Sequence, residues 1–196
     1  MNYNILVKPA YQFVKGSKET SKVIAKPFLK WAGGKTQLLQ QIFEHLPQEI
    51  HSGKITKYIE PFVGGGAVFL YIAQKFVFEE KHILDANPEL IVAYKTIKNS
   101  PDVLIDLLKS IETKYHSLPL AGQKLYFYTV RESFNGNLQG FNYDLYSDAW
   151  VERTAQIIFM NRTCFNGLFR VNSKGRFNVP FGDYKNPKIC VDKNLR

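Results

Sequence analysis

Sulfur is scarce in this chain: 196 residues contain two cysteines and two methionines. Cys164 and Cys190 stand 26 positions apart, which is neither a disulfide framework nor a zinc-ligand spacing and suits a reducing cytoplasm. Long apolar runs are absent too. The longest unbroken one, Ala67 to Ala73, has seven residues. A membrane-spanning helix needs roughly 20, so no membrane span is expected. The N-terminus shows no apolar stretch ending in a small-residue cleavage site, so no secretory signal is expected and the chain is placed in the cytoplasm. Internal repeats and low-complexity tracts are missing. What is present suits a packed core: 45% hydrophobic and 14% aromatic residues exclude pervasive disorder. The length is that of one domain, or of one domain carrying a sizeable insertion.

Acidic residues are short at both ends. Residues 1–40 hold seven lysines and one acid, and residues 151–196 hold nine Lys/Arg and three acids, +6 in each case. The total is +9, so the middle carries −3. Two basic ends around an acidic middle suggest that both face one polyanion, with nucleic acid as the candidate.

Residues 1–26, rich in Lys and Ser and without helical period, read as a loose N-terminal arm. Leu38, Leu39, Ile42, Phe43 and Leu46 share one face of a helix predicted over 36–46. Lys57–Pro61 reads as a buried strand, Gly64–Gly66 as a tight turn, 67–76 as a helix and His82–Leu84 as a second strand. Asn87 caps a helix that starts at Pro88 and runs through Lys98. Strand, glycine turn, helix, strand, helix is the start of a parallel α/β sheet. Beyond residue 98 the character changes to helices opening at Ser100–Asp102 and near 121–133 and 148–162. Alternation over 168–180 around Ser173-Lys174-Gly175 then predicts a β-hairpin.

Three segments carry chemistry. In Glu60-Pro61-Phe62-Val63-Gly64-Gly65-Gly66, the glycines let a ligand approach the start of a helix with no side chain in the way. Asp85 follows Gly66 by 19 residues, at the end of the next predicted strand, where an acid accepts hydrogen bonds from ribose hydroxyls. Phe69 occupies the third glycine position of a dinucleotide fingerprint, which leaves a mononucleoside as the better fit. Phe28-Leu29-Lys30-Trp31-Ala32-Gly33-Gly34-Lys35-Thr36 imitates a Walker A loop, but Leu29 stands where that loop needs its first glycine. Its Trp31 offers a flat wall, and Lys35 a partner for a carboxylate or phosphate. The third segment, Asn161 to Arg170, leads into the hairpin. It combines Phe165, Asn166 and Arg170, the residue types that read or wedge between bases.

Taken together, these segments resemble the Dam/DpnII-type DNA adenine-N6 methyltransferases from about Lys26 to the C-terminus. Phe28–Lys35, Glu60–Gly66, Asp85-Ala86-Asn87, Phe165–Asn172 and Phe177–Gly182 match that family's motifs in its order. The resemblance implies an α/β, Rossmann-like S-adenosylmethionine-dependent sheet, with an inserted helical recognition domain carrying the hairpin. It divides the chain into an arm (1–26), an incomplete cofactor-binding part (27–98), a DNA target-recognition part (99–190) and the start of a return linker (191–196). The resemblance implies that Trp31 and Lys35 border the methionine end of S-adenosylmethionine, Gly64 and Gly66 underlie the nucleoside, and Asp85 holds the ribose. On double-stranded DNA, usually GATC, Lys30 and Arg170 would read a guanine, with Phe165 and Asn166 at the adjoining base step. No metal is implied.

One motif of the family is missing. No Asp-Pro-Pro-Tyr, the catalytic segment, occurs in the chain. The sequence therefore reads as truncated before that segment and inactive by itself, with the strand at 57–61 left as an unpaired edge and the fragment poorly soluble or oligomeric. The alternatives are a DNA-binding module without catalysis, and a nucleotide-dependent oxidoreductase that would use the glycine turn and Asp85.

Overall fold

The computed structural model describes residues 3–7 by their backbone and residues 25–195 in full. It divides into two compact units, Met1–Pro27 with Gly33–Asn87, and Phe28–Ala32 with Pro88–Arg196.

The first unit is a three-stranded sheet with helices. Strand β1 (Tyr3–Val7) pairs antiparallel with β3 (Glu80–Asp85), and β2 (Lys57–Glu60) pairs parallel with β3 on its other side. The parallel pair and the helix joining it, α3 (Ala67–Lys75), follow the predicted pattern. The antiparallel β1 differs from it, because Tyr3–Val7 belongs to the sheet rather than to a loose arm. Five residues of strand-forming Tyr-Asn-Ile-Leu-Val are diluted by the Lys- and Ser-rich stretch behind them. Residues 8–24 of the expected arm lie outside the described residues. Helices α1 (Leu39–Glu44) and α2 (Gln48–His51) precede β2. Ile50, Ile72 and Phe78 form the core here, with Leu46, Ile55, Tyr58 and Phe76 packed on it. Strand β2 has β3 as its single partner among the described residues, and Ile59 on it is 57% exposed.

The second unit is helical: α4 (Pro88–Asn99), α5 (Pro101–His116), α6 (Leu120–Gly136) and α7 (Asp148–Thr163). Its aromatic core includes Tyr115, Phe127, Phe134, Trp150 and Phe159. Helix α7 is buried on nearly every side and packs against α4, α5 and α6. Burying a polar helix requires partners for its polar groups. Thr154 donates to Thr96 at 3.0 Å, and Arg153 reaches Glu89 of α4 from Nε at 2.7 Å. The Arg153 guanidinium lies between the rings of Phe134 and Phe141, 4.1 and 4.4 Å from their centroids. This lock ties α4 to the helical unit. The two compact units divide before α4, at Asn87/Pro88. Phe28–Ala32 joins the same unit: Phe28 meets Tyr94 edge-on at 5.1 Å, and Arg162 donates to the Phe28 carbonyl at 2.8 Å.

Candidate functional site

In the first unit, β2 ends in the turn Pro61–Gly66. Gly64 (φ 50°) and Gly66 (φ 80°) both sit in the left-handed region, which a side chain at Cβ penalises. Val63 N–H donates to the Leu84 carbonyl at 3.0 Å, tying the turn to the end of β3. Gly66 is the residue before the first turn of α3, so the turn opens directly onto a nine-residue helix. Asp85 stands at the last position of β3. Its Oδ2 accepts the Gly64 N–H and its Oδ1 accepts the Asn87 N–H, each at 2.9 Å. The structure thus brings Gly64 and Asp85 together at the carboxyl ends of two adjacent parallel strands, where open α/β sheets bind ligands. The Asp85 carboxylate organises the turn itself, a role the spacing alone did not disclose. The Lys35 ammonium donates to the Gly33 carbonyl at 3.0 Å.

Two residues of the glycine motif carry features that its spacing did not signal. Phe62 is 82% exposed beside the turn. Glu60 accepts a 2.5 Å hydrogen bond from the Tyr58 hydroxyl. Burial raises the Glu60 carboxyl above its ordinary range, and the Tyr58 bond partly offsets this. Burial and the adjoining carboxylate push the tyrosine well above the usual phenol range.

In the second unit, the predicted hairpin is present as a narrow loop. Val171 bridges Phe177, Asn178 N–H donates to the Arg170 carbonyl at 3.1 Å, and Asn172 Oδ1 accepts the N–H groups of Lys174 and Arg176. Gly175 supplies the left-handed residue of its tip (φ 73°). Arg170 is exposed, and its Nε donates to Asn178 Oδ1 at 2.8 Å across the hairpin. An arginine so braced presents its remaining N–H groups from a fixed position. Asn135, buried on α6, both accepts the Phe177 N–H (2.7 Å) and donates to its carbonyl (3.0 Å), fixing the far limb. Phe165 is 52% exposed, and Asn166 is exposed with φ 56°. Trp31 stacks on Phe169 at 5.1 Å, and Phe169 meets Phe177 at 5.6 Å. The Trp31 ring therefore has a partner at the hairpin base, beyond the wall-like role its sequence context suggests. The exposed Lys30 holds its ammonium 5.8 Å from the Tyr184 ring centroid. Asn178 and Asn135 are amides in ordinary polar context, and nothing in their spacing marks them. Asn161 opens the motif that carries Phe165, but its own task is visible only in three dimensions.

The sequence profile of the D12 class N6 adenine-specific DNA methyltransferases matches residues 31–196. The chain belongs to this family. It is 52% identical over 171 residues to a type II methyltransferase, M.MjaIII, of Methanocaldococcus jannaschii, covering 87% of this chain and 57% of that protein. It is 43% identical over 178 residues to the type II methyltransferase M1.LlaDCHI of Lactococcus lactis subsp. cremoris, covering 90% of this chain and 54% of the other. With the DNA adenine methylase of Vibrio cholerae the identity is 39% over 162 residues, or 83% of this chain and 50% of that one. The chain thus spans about half the length of the curated relatives it matches. Among the described residues, no helix of this family member is long and apolar enough to cross a membrane, and no cluster of His, Cys, Asp and Glu is placed to hold a metal ion.

Proposed function

We propose that these residues form the cofactor-binding and DNA-recognising portion of an S-adenosylmethionine-dependent DNA adenine-N6 methyltransferase that acts on GATC in duplex DNA. The setting is restriction and modification, as the type II names of two relatives suggest. One observation carries the reading: the glycine turn and the acidic residue of the family meet in a hydrogen bond at the carboxyl ends of β2 and β3. The donor set fits an adenosine-containing cofactor. Gly64 and Gly66 keep Cβ atoms out of the turn, and each Asp85 oxygen, with one backbone N–H bound, retains acceptor capacity for a ribose hydroxyl. Lys35 is assigned to the methionine carboxylate, and the family motif also assigns Trp31 to that end.

When bound, S-adenosylmethionine supplies an electrophilic methyl group. The chain's own contribution is binding and orientation. Lys30 and Arg170 read guanine, and Phe165 with Asn166 acts at the adjoining base step. Residues 99–190, which lie within the helical unit, are the DNA target-recognition part, inserted in the methyltransferase sheet. The chemistry further requires groups that accept the hydrogens of the adenine amino group and a ring that stacks on the flipped base. The family places these in Asp-Pro-Pro-Tyr, which this sequence does not contain. Calorimetric titration with S-adenosylhomocysteine and, separately, with NAD tests the cofactor class. Saturable binding of the first alone is expected. Binding of NAD alone would move the chain to the oxidoreductases.

A further inference from the structure

We propose that Asn161 is a positioning residue that holds Lys30 and the Phe165–Gly167 turn as a single DNA-reading unit. The inference rests on the reading of Lys30 as a base-contacting residue.

Asn161 lies on the last turn of α7 and is 3% exposed. Its side chain makes three hydrogen bonds, all to backbone. Oδ1 accepts the Lys30 N–H at 2.9 Å, and Nδ2 donates to the Lys30 carbonyl at 2.9 Å and to the Gly167 carbonyl at 2.7 Å. A primary amide has two N–H donors and one carbonyl, so both donors are used and the geometry fixes which end of the amide faces which segment. Residues more than 130 positions apart in sequence, Lys30 and Asn161, are thereby clamped in the manner of a β-pair.

The Gly167 end of the clamp is equally specific. Gly167 has φ 63°, and a Cβ built on it would stand 2.6 Å from Lys30 Cδ and 3.3 Å from Lys30 Cβ. The aliphatic stem of Lys30 therefore lies against the bare Cα of Gly167. Glycine is required here both for the backbone angle and for the close approach. The stem directs the ammonium along a path that passes the Tyr184 ring. Phe165 and Asn166 immediately precede Gly167, so the amide that fixes Lys30 also fixes the exposed ring and amide of that turn. Nothing about Asn161 requires contact with DNA. It acts by setting where Lys30 points.

A purely structural asparagine would, on removal, weaken binding to every duplex alike. A positioning residue must instead erase discrimination at the base pair that Lys30 reads. The measurement is competition of a labelled GATC duplex with unlabelled duplexes, each altered at one base pair of the site. The proteins are the full chain, Lys30→Ala, Asn161→Ala, the double variant and Gly167→Ala. Lys30→Ala is expected to lower discrimination at one base pair by about tenfold or more, the scale of a lost bidentate base contact. Asn161→Ala should lower it at the same base pair by a similar factor, and at that base pair the double variant should do no more than Lys30→Ala alone. Gly167→Ala drives a Cβ into the Lys30 stem, and to 3.2 Å from the Asn161 backbone carbonyl, while keeping the Asn161 side-chain amide, and should give the same position-specific loss, which keeps the test open if Asn161→Ala does not fold. Uniform weakening by Asn161→Ala and Gly167→Ala, or additive loss in the double variant, overturns the inference while leaving the role of Lys30 standing. No base-pair effect of Lys30→Ala overturns both.

Discussion

Replacing Asp85 by alanine is expected to damage two properties at once, because its carboxylate serves the fold before it serves a ligand. Both oxygens accept backbone N–H groups at 2.9 Å, one from Gly64 in the glycine turn and one from Asn87 ahead of α4. Hydrogen bonds to a charged group contribute about 1.5–3 kcal/mol each when sheltered. Asp85 is half-buried, so the lower part of that range applies and the pair contributes about 3–4 kcal/mol. Alanine removes both acceptor oxygens and loosens a turn held in the left-handed region at Gly64. An asparagine side chain in its place retains one acceptor oxygen and turns an N–H₂ toward the other donor, so Asp85→Asn should recover less than half of the loss. Urea denaturation followed by circular dichroism reads the stability. Titration with S-adenosylhomocysteine reads the second property, where losing ribose contacts should cost a further ~1–3 kcal/mol in affinity. An alanine variant as stable as the parent to within about 0.5 kcal/mol, the scale of an ordinary surface substitution, would refute the structural role. Unchanged affinity would remove Asp85 from the cofactor site.

Glu89→Ala should destabilise the helical unit by about 3–5 kcal/mol, because it leaves the Arg153 guanidinium, 2% exposed, without its counter-charge; a denaturation midpoint close to that of the parent would argue against the lock. Cys164 is fully buried, and burial pushes its thiol up to about 11, three units above pH 8, so only about one part in a thousand is thiolate there. It should therefore resist a disulfide reagent at pH 8 until urea unfolds the chain, and stoichiometric labelling of the native protein within minutes would contradict the packing. Residues 1–196 alone should transfer no tritiated methyl group from S-adenosylmethionine to GATC-containing DNA, since they lack the family's amino-group acceptors; robust turnover would mean that another acidic or amide side chain supplies that role.

Elements with a strong local signal were legible in the sequence. The period of Leu104, Leu108 and Tyr115 marked α5, and Asn87-Pro88 marked the start of α4 within a residue. The glycine turn and Asp85 were legible because backbone freedom and chain spacing are both properties of sequence. What escaped depends on contacts between distant residues. Strand β1 exists through its pairing with β3, and its five residues are too few to stand out from the lysines around them. The grouping of α4 with the helical unit escaped because α4 has the pattern of a crossover helix, yet it is held there by Glu89, whose partner lies 64 positions away. Helix α7 is polar in sequence and buried in the fold, and only the partners of Arg153, Thr154 and Asn161 explain how both hold. Arg170 was marked by charge and context, but Asn178, which aims it, was not.

The central claim is that this chain reads a specific DNA sequence through its basic hairpin, and equilibrium binding to GATC and scrambled duplexes over a range of salt tests it most directly. The chain should bind both with an affinity that falls as salt rises, and prefer GATC by about 1–3 kcal/mol for each altered base pair it reads. Arg170→Ala should flatten that preference, whereas Lys174→Ala at the hairpin tip should weaken all duplexes equally, as a phosphate contact does. Equal affinity of the parent chain for GATC and scrambled duplexes would contradict the account.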